Sequence, residues 1–259
     1  MNIEYSKILN HIQDIETKQT IKKFIDSLFV VERSGGTYCS DFLTPNEIDY
    51  CIKSINTFSS FDYKIIPNSD KCERNCILIS PYVSSLDIYD YINIISTDKI
   101  DNINHRDVLG SLLALGINRS KVGDILFTDK KITIILRTSL SNYVLQNLLS
   151  ISKYKVSFSL DNNFSFDDLI ENTKKYFAIV SSLRLDLIIS EIINYPRNKT
   201  SSLLNSGKIK VNYEEIKKSH YELKEGDIIS VKGFGRFKFL NILGVTKKNK
   251  YKIEYIKYE

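Results

Sequence analysis

The chain has 259 residues, 42% of them hydrophobic and 26% charged, and a formal net charge of +5. That balance is ordinary for a folded globular protein and excludes an intrinsically disordered chain. Its longest apolar runs, such as Ile132–Leu136, fall far short of the roughly 20 residues a membrane-spanning helix needs, and the N-terminal MNIEYSKILNHIQDIE lacks the apolar block of a secretory signal. The expectation is a cytoplasmic protein without membrane contact.

The positive charge is unevenly placed. From Ser181 onward there are 16 Lys/Arg against 9 Asp/Glu, a net +7, so the preceding residues carry −2. Cations gathered in the last third are the electrostatic footprint of a module that meets a polyanion. Lys-rich tails also serve solubility alone, so the arrangement of these residues has to decide between the two.

In chain order, Ile8, Ile12, Ile15, Ile21, Phe24, Ile25 and Leu28 recur at helical spacing. After Ser34-Gly35-Gly36, the run Thr44-Pro45-Asn46-Glu47 supplies a cap, a first-turn proline and an acid three residues on. It predicts a capping box opening a helix through about Phe58. Tyr63–Ile66, Cys76–Ser80 and Tyr91–Ser96 read as strands. A helix near Arg106–Leu115 stops at Gly116, and strands follow at Asp124–Phe127 and Lys131–Arg137, joined by a turn at Thr128–Lys130. A helix at Ser139–Ser150 and a strand at Lys155–Leu160 complete a small α/β sandwich, and the polar run Asp161–Lys175 reads as a linker.

Beyond Ser181 come a helix at Leu185–Ile193, ended by Tyr195-Pro196, and a second at Thr200–Asn205. Strands at Lys208–Val211, Asp227–Val231, Arg236–Ile242 and Tyr251–Tyr255 follow. The fold class is α+β. Its three parts are an N-terminal mixed helical domain (1–75), a middle α/β domain (76–165) and a C-terminal helix-loop-helix on a small sheet (182–259).

Four cysteines, Cys39, Cys51, Cys72 and Cys76, lie in the first third, and no second pair stands at zinc-ribbon spacing. They read as free thiols, with neither metal nor cofactor expected. The chemistry resides instead in Arg184, Arg197, Lys199, Ser201, Lys208, Lys210 and Asn212, with Arg236 further on. Lys208 and Lys210 alternate on a strand and share a face, while Arg197 and Lys199 fall at the bend between two helices. Packed together, these side chains offer the point charges, forked guanidinium donors and neutral donors that phosphates need. Asp186 is read as structural, pairing with a nearby cation or capping the first helix.

These residues resemble a known RNA-binding domain. Arg184-Leu-Asp186, the basic turn, Gly207-Lys208-Ile-Lys210-Val-Asn212 and Gly226-Asp227 before a strand are similar to the domain named after small-subunit ribosomal protein S-four. That domain binds structured RNA through a helix-loop-helix on a small sheet. Where the family often has Ser-Arg at the helix bend, this chain has Tyr195-Pro196-Arg197-Asn198-Lys199.

A second resemblance covers nearly the whole chain. The run from His105-Arg106-Asp107 through Gly110, Gly116, Arg119 and Gly123-Asp124 resembles the signature of the YlmH family of bacterial RNA-binding proteins. Asp41-Phe-Leu-Thr-Pro45 and Ser230-Val-Lys-Gly233-Phe-Gly235-Arg236 are similar to its two ends. The resemblance implies a ribosome-associated protein that binds rRNA, tRNA or both on the large subunit, with no catalytic residues. It is expected as a monomer. Relatives with the same C-terminal domain act on large subunits carrying stalled nascent chains.

Other readings stand beside this one. His105 and Asp107 either organise a helix start, or Arg106 with Arg119 and Lys121 forms a second RNA-facing patch. His105-Arg106-Asp107 is no kinase loop, because Leu112 stands where a metal-binding Asn is needed. The alternatives to a binding factor are an RNA-modifying enzyme of the pseudouridine synthase type, for which Asp107 and Asp124 are the only candidate catalytic acids, and an adaptor at the division machinery.

Overall fold

The structure, a computed structural model, describes residues 3–57, 61–79, 88–96, 103–128, 131–168 and 174–258. The chain divides into two compact units, Met1–Ile170 and Glu171–Glu259. Among the described residues there are seven α-helices and fourteen strands in three sheets, which makes the fold α+β.

The first unit begins with α1 (Ile3–His11) and α2 (Ile15–Ser34), separated where Asp14 accepts a hydrogen bond from the Thr17 amide and caps α2. Gly35, at φ 64°, closes α2 in the left-handed conformation that favours glycine. β1 (Tyr38–Cys39) is followed by α3 (Pro45–Ile55), which opens with the expected capping box. Thr44 Oγ1 accepts from the Glu47 amide, and Glu47 Oε2 accepts from the Thr44 amide at 2.8 Å. β2 (Tyr63–Ile66) and β3 (Cys76–Ile79) complete a three-stranded sheet with β3 in the centre. The helices bury Phe24, Leu28 and Ile48 against it.

The same unit continues with β4 (Tyr89–Ser96), α4 (His105–Ala114), β5 (Val122–Phe127), β6 (Ile132–Arg137), α5 (Thr138–Asn147), β7 (Ser150–Ile151) and β8 (Tyr154–Leu160). They form an antiparallel sheet in the order β5-β6-β4-β8-β7. Ile92, Ile94, Ile134 and Leu136 face the core formed with Val108, Leu112 and Val144 of the two helices.

The expected border between residues 75 and 76 does not hold. Cys76–Ile79 is the central strand of the first sheet, and the segment before it packs on the second. Phe42, Cys72 and Cys76 form a buried cluster with Ile135, on the face of β6 turned away from α4 and α5. This explains why β6 is buried at five successive positions: both of its faces are covered.

Polar contacts run along the same seam. Asp124 Oδ2 accepts from the amides of Glu73 and Arg74 at 2.9 Å each, Arg74 donates to the Phe42 carbonyl at 2.6 Å, and Arg137 donates to the Cys39 carbonyl at 3.3 Å. Lys121 pairs with Asp41 at 2.6 Å, but both side chains are a third or more exposed, and such pairs contribute about 0–1 kcal/mol. Burying Phe42, only 1% exposed, contributes about 1.5–3 kcal/mol, so the seam is held mainly by packing.

After β8, Asp161 accepts from Lys131 Nζ and Asn93 Nδ2 at 2.8 Å each, and its neighbour Phe164 stacks on Tyr91 with ring centroids 4.1 Å apart. The part of the expected linker at 169–173 lies outside the described residues.

The second unit starts earlier than residue 182, with β9 (Lys175–Val180), which the polar run before it hides in the sequence. α6 (Leu185–Ile192), α7 (Arg197–Asn205), β10 (Ile209–Val211), β11 (Glu214–Glu215), β12 (Ile228–Val231), β13 (Gly235–Val245) and β14 (Tyr251–Tyr258) follow. The sheet order is β11-β10-β12-β13-β14-β9, so the first strand closes the sheet against the last. α6 and α7 cover one face, packing Leu185, Ile189 and Leu204 on Ile209, Ile229, Phe237, Phe239 and Ile253.

Two outcomes check the packing and electrostatics of the first unit. A Cβ on Gly123 would lie 2.9 Å from the Phe42 ring. Gly123→Ala is therefore expected to destabilise the first unit by about 1–3 kcal/mol in urea unfolding, and Phe42→Leu to relieve part of that cost in the double variant. The hydrogen bond and charge of Lys131 hold the Asp161 carboxyl below its usual range. A depressed folded pKa adds stability above the unfolded value of about 3.9 and loses it as pH falls through the folded one. The stability gap between wild type and Asp161→Asn should be full at neutral pH and shrink in acid below about pH 4.

Candidate nucleic-acid interface

α6 begins at Leu185 with Arg184 at the cap position, and its amides are taken up by a neighbouring loop: Leu185 N–H donates to the Tyr221 carbonyl at 2.7 Å. Asp186, in the first turn, is 1% exposed. Its carboxylate accepts from Arg184 Nε and Nη2 at 3.1 Å each and from Arg197 Nε at 3.0 Å. A buried carboxylate without partners is costly, and here two guanidinium groups meet that need while remaining 35% and 54% exposed themselves. Arg184 and Arg197 are thereby held side by side with their remaining N–H groups toward solvent. The pairing role expected for Asp186 is the one it has.

The chain turns between the helices at Asn194, φ 48°, and Ser190 Oγ donates to the Tyr195 carbonyl at 2.6 Å. α7 starts at Arg197, three residues earlier than the sequence suggests, because Pro196 presets the backbone for helix entry. Arg197 and Lys199 therefore occupy the first turn of α7 rather than the bend. Lys199 lies over the Tyr195 ring at 5.6 Å, and Phe234 packs edge-on against the same ring at 5.2 Å. Phe234 is thus committed to packing.

The other named residues divide. Ser201 Oγ donates back to the Arg197 carbonyl at 3.1 Å. Asn212 is bound on both sides, donating to Asp227 Oδ1 at 2.8 Å and accepting from the Ile228 amide at 2.9 Å; it closes a turn. Lys210 alternates with buried Ile209 and Val211 and so points away from the helices. Arg236 does the same on β13, two strands away, and lies over the Tyr213 ring at 5.6 Å. Lys208 is exposed just before β10. The sequence constellation is therefore two groups on opposite faces of one sheet: Arg184, Arg197 and Lys199 with the helices, Lys210 and Arg236 on the other side.

The second patch is not assembled as expected. Arg119 Nη1 donates to the carbonyls of Val122 and Gly123, bracing the entry to β5, and Lys121 pairs with Asp41. Arg106 is exposed, on α4 at the rim of an open depression of about 600 Å³ lined also by Gly110, Ala114, Leu149 and Ser152. Asp107 completes a capping box with Asn104, its amide donating to Asn104 Oδ1 at 3.0 Å. Asp124 accepts two backbone amides, and burial holds its carboxyl above the usual carboxylate range. Both acids weighed as catalytic thus have structural partners.

Sequence reasoning passes over the hairpin between β13 and β14. Lys247, Lys248, Lys250 and Lys252 stand there without an acid between Leu240 and Ile253. That uninterrupted run of cations is the available signal.

The second unit is thus an α+β domain whose helix pair presents two arginines clasped on one aspartate, a pair of forked donors of the kind phosphates accept. Comparison with known proteins is consistent with that chemistry. Residues 88–163 match the family described as "Putative RNA-binding domain in YlmH". The chain is 26% identical to the "Ribosome-associated protein quality control protein P2" of Bacillus subtilis (strain 168), over 90% of this chain and 94% of that protein. Its fold is shared with the "Cell division protein ylmH from Streptococcus pneumoniae", at 19% identity and a TM-score of 0.50, over 58% of this chain and 93% of that one. The similarity to the YlmH family's domain rests on residues 88–163, and the solved structure shows a shared fold. The family match lies in the middle of the chain, whereas the sequence reading placed RNA binding in the last third.

The Asp186 clasp yields a direct check. Asp186→Ala should cost about 1–3 kcal/mol in thermal unfolding, and should weaken RNA binding even though it removes a negative charge. Stronger binding by the variant would show that charge alone, rather than placement of the two arginines, governs this face.

Proposed function

We propose that the chain is a non-catalytic RNA-binding protein of the ribosome, docking on folded rRNA or tRNA of the large subunit and taking part in handling stalled nascent chains. The observation that carries this is the similarity to a ribosome-associated quality control protein along 90% of the chain, so that both units have a counterpart there. In this reading the second unit is an RNA-binding domain of the ribosomal-protein-S-four type. Arg184, Arg197 and Lys199 meet phosphates from the helix side, and the solvent-facing guanidinium N–H groups suit forked recognition of phosphate oxygens. The first unit adds the surface around Arg106, within the segment that matches the putative RNA-binding family. Binding is electrostatic docking with recognition of RNA shape, and it weakens with salt. The protein acts as a monomer in the cytoplasm.

Sucrose-gradient sedimentation of host lysate tests this reading. Wild type should travel with the large subunit, and Arg197→Ala/Lys199→Ala should remain at the top. In equilibrium binding to folded RNA, the double variant should lower the salt slope by about one unit for each phosphate it no longer neutralises. Wild type remaining at the top at low salt would refute ribosome association, and an unchanged slope would refute this face.

A further inference from the structure

The face of the second unit's sheet opposite α6 and α7 has its own composition. Cross-strand register puts Ile179 beside Lys252 and Phe177 beside Glu254, all pointing away from the helices, because Ala178, Val180 and Ile253 point into the core. Phe177 and Ile179 are 57% and 49% exposed. Lys252 Nζ lies 5.4 Å from the Phe177 ring centroid. The acid beside them is already engaged: Glu254, buried, accepts from Asn241 Nδ2 at 3.0 Å and pairs with Lys175 at 3.4 Å. Gly244, opposite Lys252, leaves open space where another residue would place a side chain.

The strands β13 and β14 continue from this patch into a hairpin whose tip is ordered. The Thr246 amide donates to the Lys250 carbonyl at 2.7 Å, the Asn249 amide donates to the Thr246 carbonyl at 2.9 Å, and Asn249 adopts φ 53°. Lys247, Lys248 and Lys250 are therefore presented on a fixed turn.

An exposed aromatic ring beside cations, followed by a row of lysines without acids, is the combination that holds single-stranded nucleic acid: bases stack on the ring and phosphates follow the charge. We propose that this outer face is a second RNA site, in which a base of a single-stranded segment stacks on Phe177 and the adjoining phosphates run along Lys252 and the hairpin tip. It takes from the reading above only the choice of RNA as the polyanion. It is separate from the helix face that carries Arg197, so the small domain holds a folded RNA on one side and an unpaired strand on the other.

The chain contains no tryptophan, so Phe177→Trp creates a unique fluorophore at the site. Titrating that full-length variant with an oligouridylate of about ten nucleotides should quench its emission by stacking. In anisotropy with the labelled oligonucleotide, Phe177→Ala should bind roughly tenfold more weakly and Phe177→Trp as well as wild type. Lys247→Ala/Lys248→Ala/Lys250→Ala should reduce the salt slope by about 0.7 for each phosphate left without its lysine. Arg197→Ala/Lys199→Ala should leave oligouridylate affinity unchanged while weakening binding of a folded hairpin RNA.

Undiminished binding by Phe177→Ala, or loss of oligouridylate binding in the Arg197/Lys199 variant, would overturn the site. Quenching of Phe177→Trp by purified large subunits but not by the oligonucleotide would assign the patch to a folded partner and also overturn it. Wild type that binds hairpin RNA but no oligouridylate would overturn this inference alone; binding of neither would remove the RNA-binding reading as well.

Discussion

Asp186 is buried beneath the first turn of α6, and arginines thirteen residues apart in sequence reach it from two helices. Neither guanidinium is itself buried, so the cost of desolvation falls mainly on one carboxylate, and three charge-assisted hydrogen bonds offset it. The clasp ties the start of α6 to the start of α7. Beside it, Leu185, Ile189 and Leu204 pack together on a single face of the sheet. The other face carries Lys210, Arg236, Phe177 and Lys252, so one small domain has two chemically distinct sides.

The first unit follows a different constraint. Its five-stranded sheet has helices on one face and the segment around Phe42 and Cys76 on the other. A strand covered on both faces loses the polar alternation that would mark an edge of the fold, and the two sheets of this unit cannot be separated without exposing Phe42 and Ile135. Asp124 and Arg74 add hydrogen bonds across the same seam, so residues that look functional by charge are occupied in joining the halves. Lys121, paired with Asp41, belongs to this group, while Arg119 is occupied locally by the carbonyls of Val122 and Gly123. Arg106 does not belong to the group: it is exposed at the rim of the open depression, within the segment that matches the family.

Local chemistry is readable where it is closed within a few residues. The Thr44/Glu47 capping box and the stop at Gly116 need only neighbouring residues to form, and the sequence shows them. β9 escapes the sequence because its partner, β14, lies about seventy residues later and nothing nearby marks it as a strand. The start of α7 falls earlier than expected because Pro196, at the cap position, leads directly into the helix at Arg197.

The amino-acid sequence by itself determined the α+β class, the order of most helices and strands, the excess of cations in the last third and a structural role for Asp186, as a cation's partner or a helix cap. Each follows from composition, periodicity or the needs of a charge at a helix start. Only the tertiary structure decided which cations act together. Whether a lysine joins Arg197 or Lys252 depends on the sheet face it points from, and that is fixed by cross-strand register. Whether Arg119 or Asn212 is open to a ligand depends on carbonyls and carboxylates brought to it by folding, since a polar group satisfied within the protein has little left to offer a phosphate.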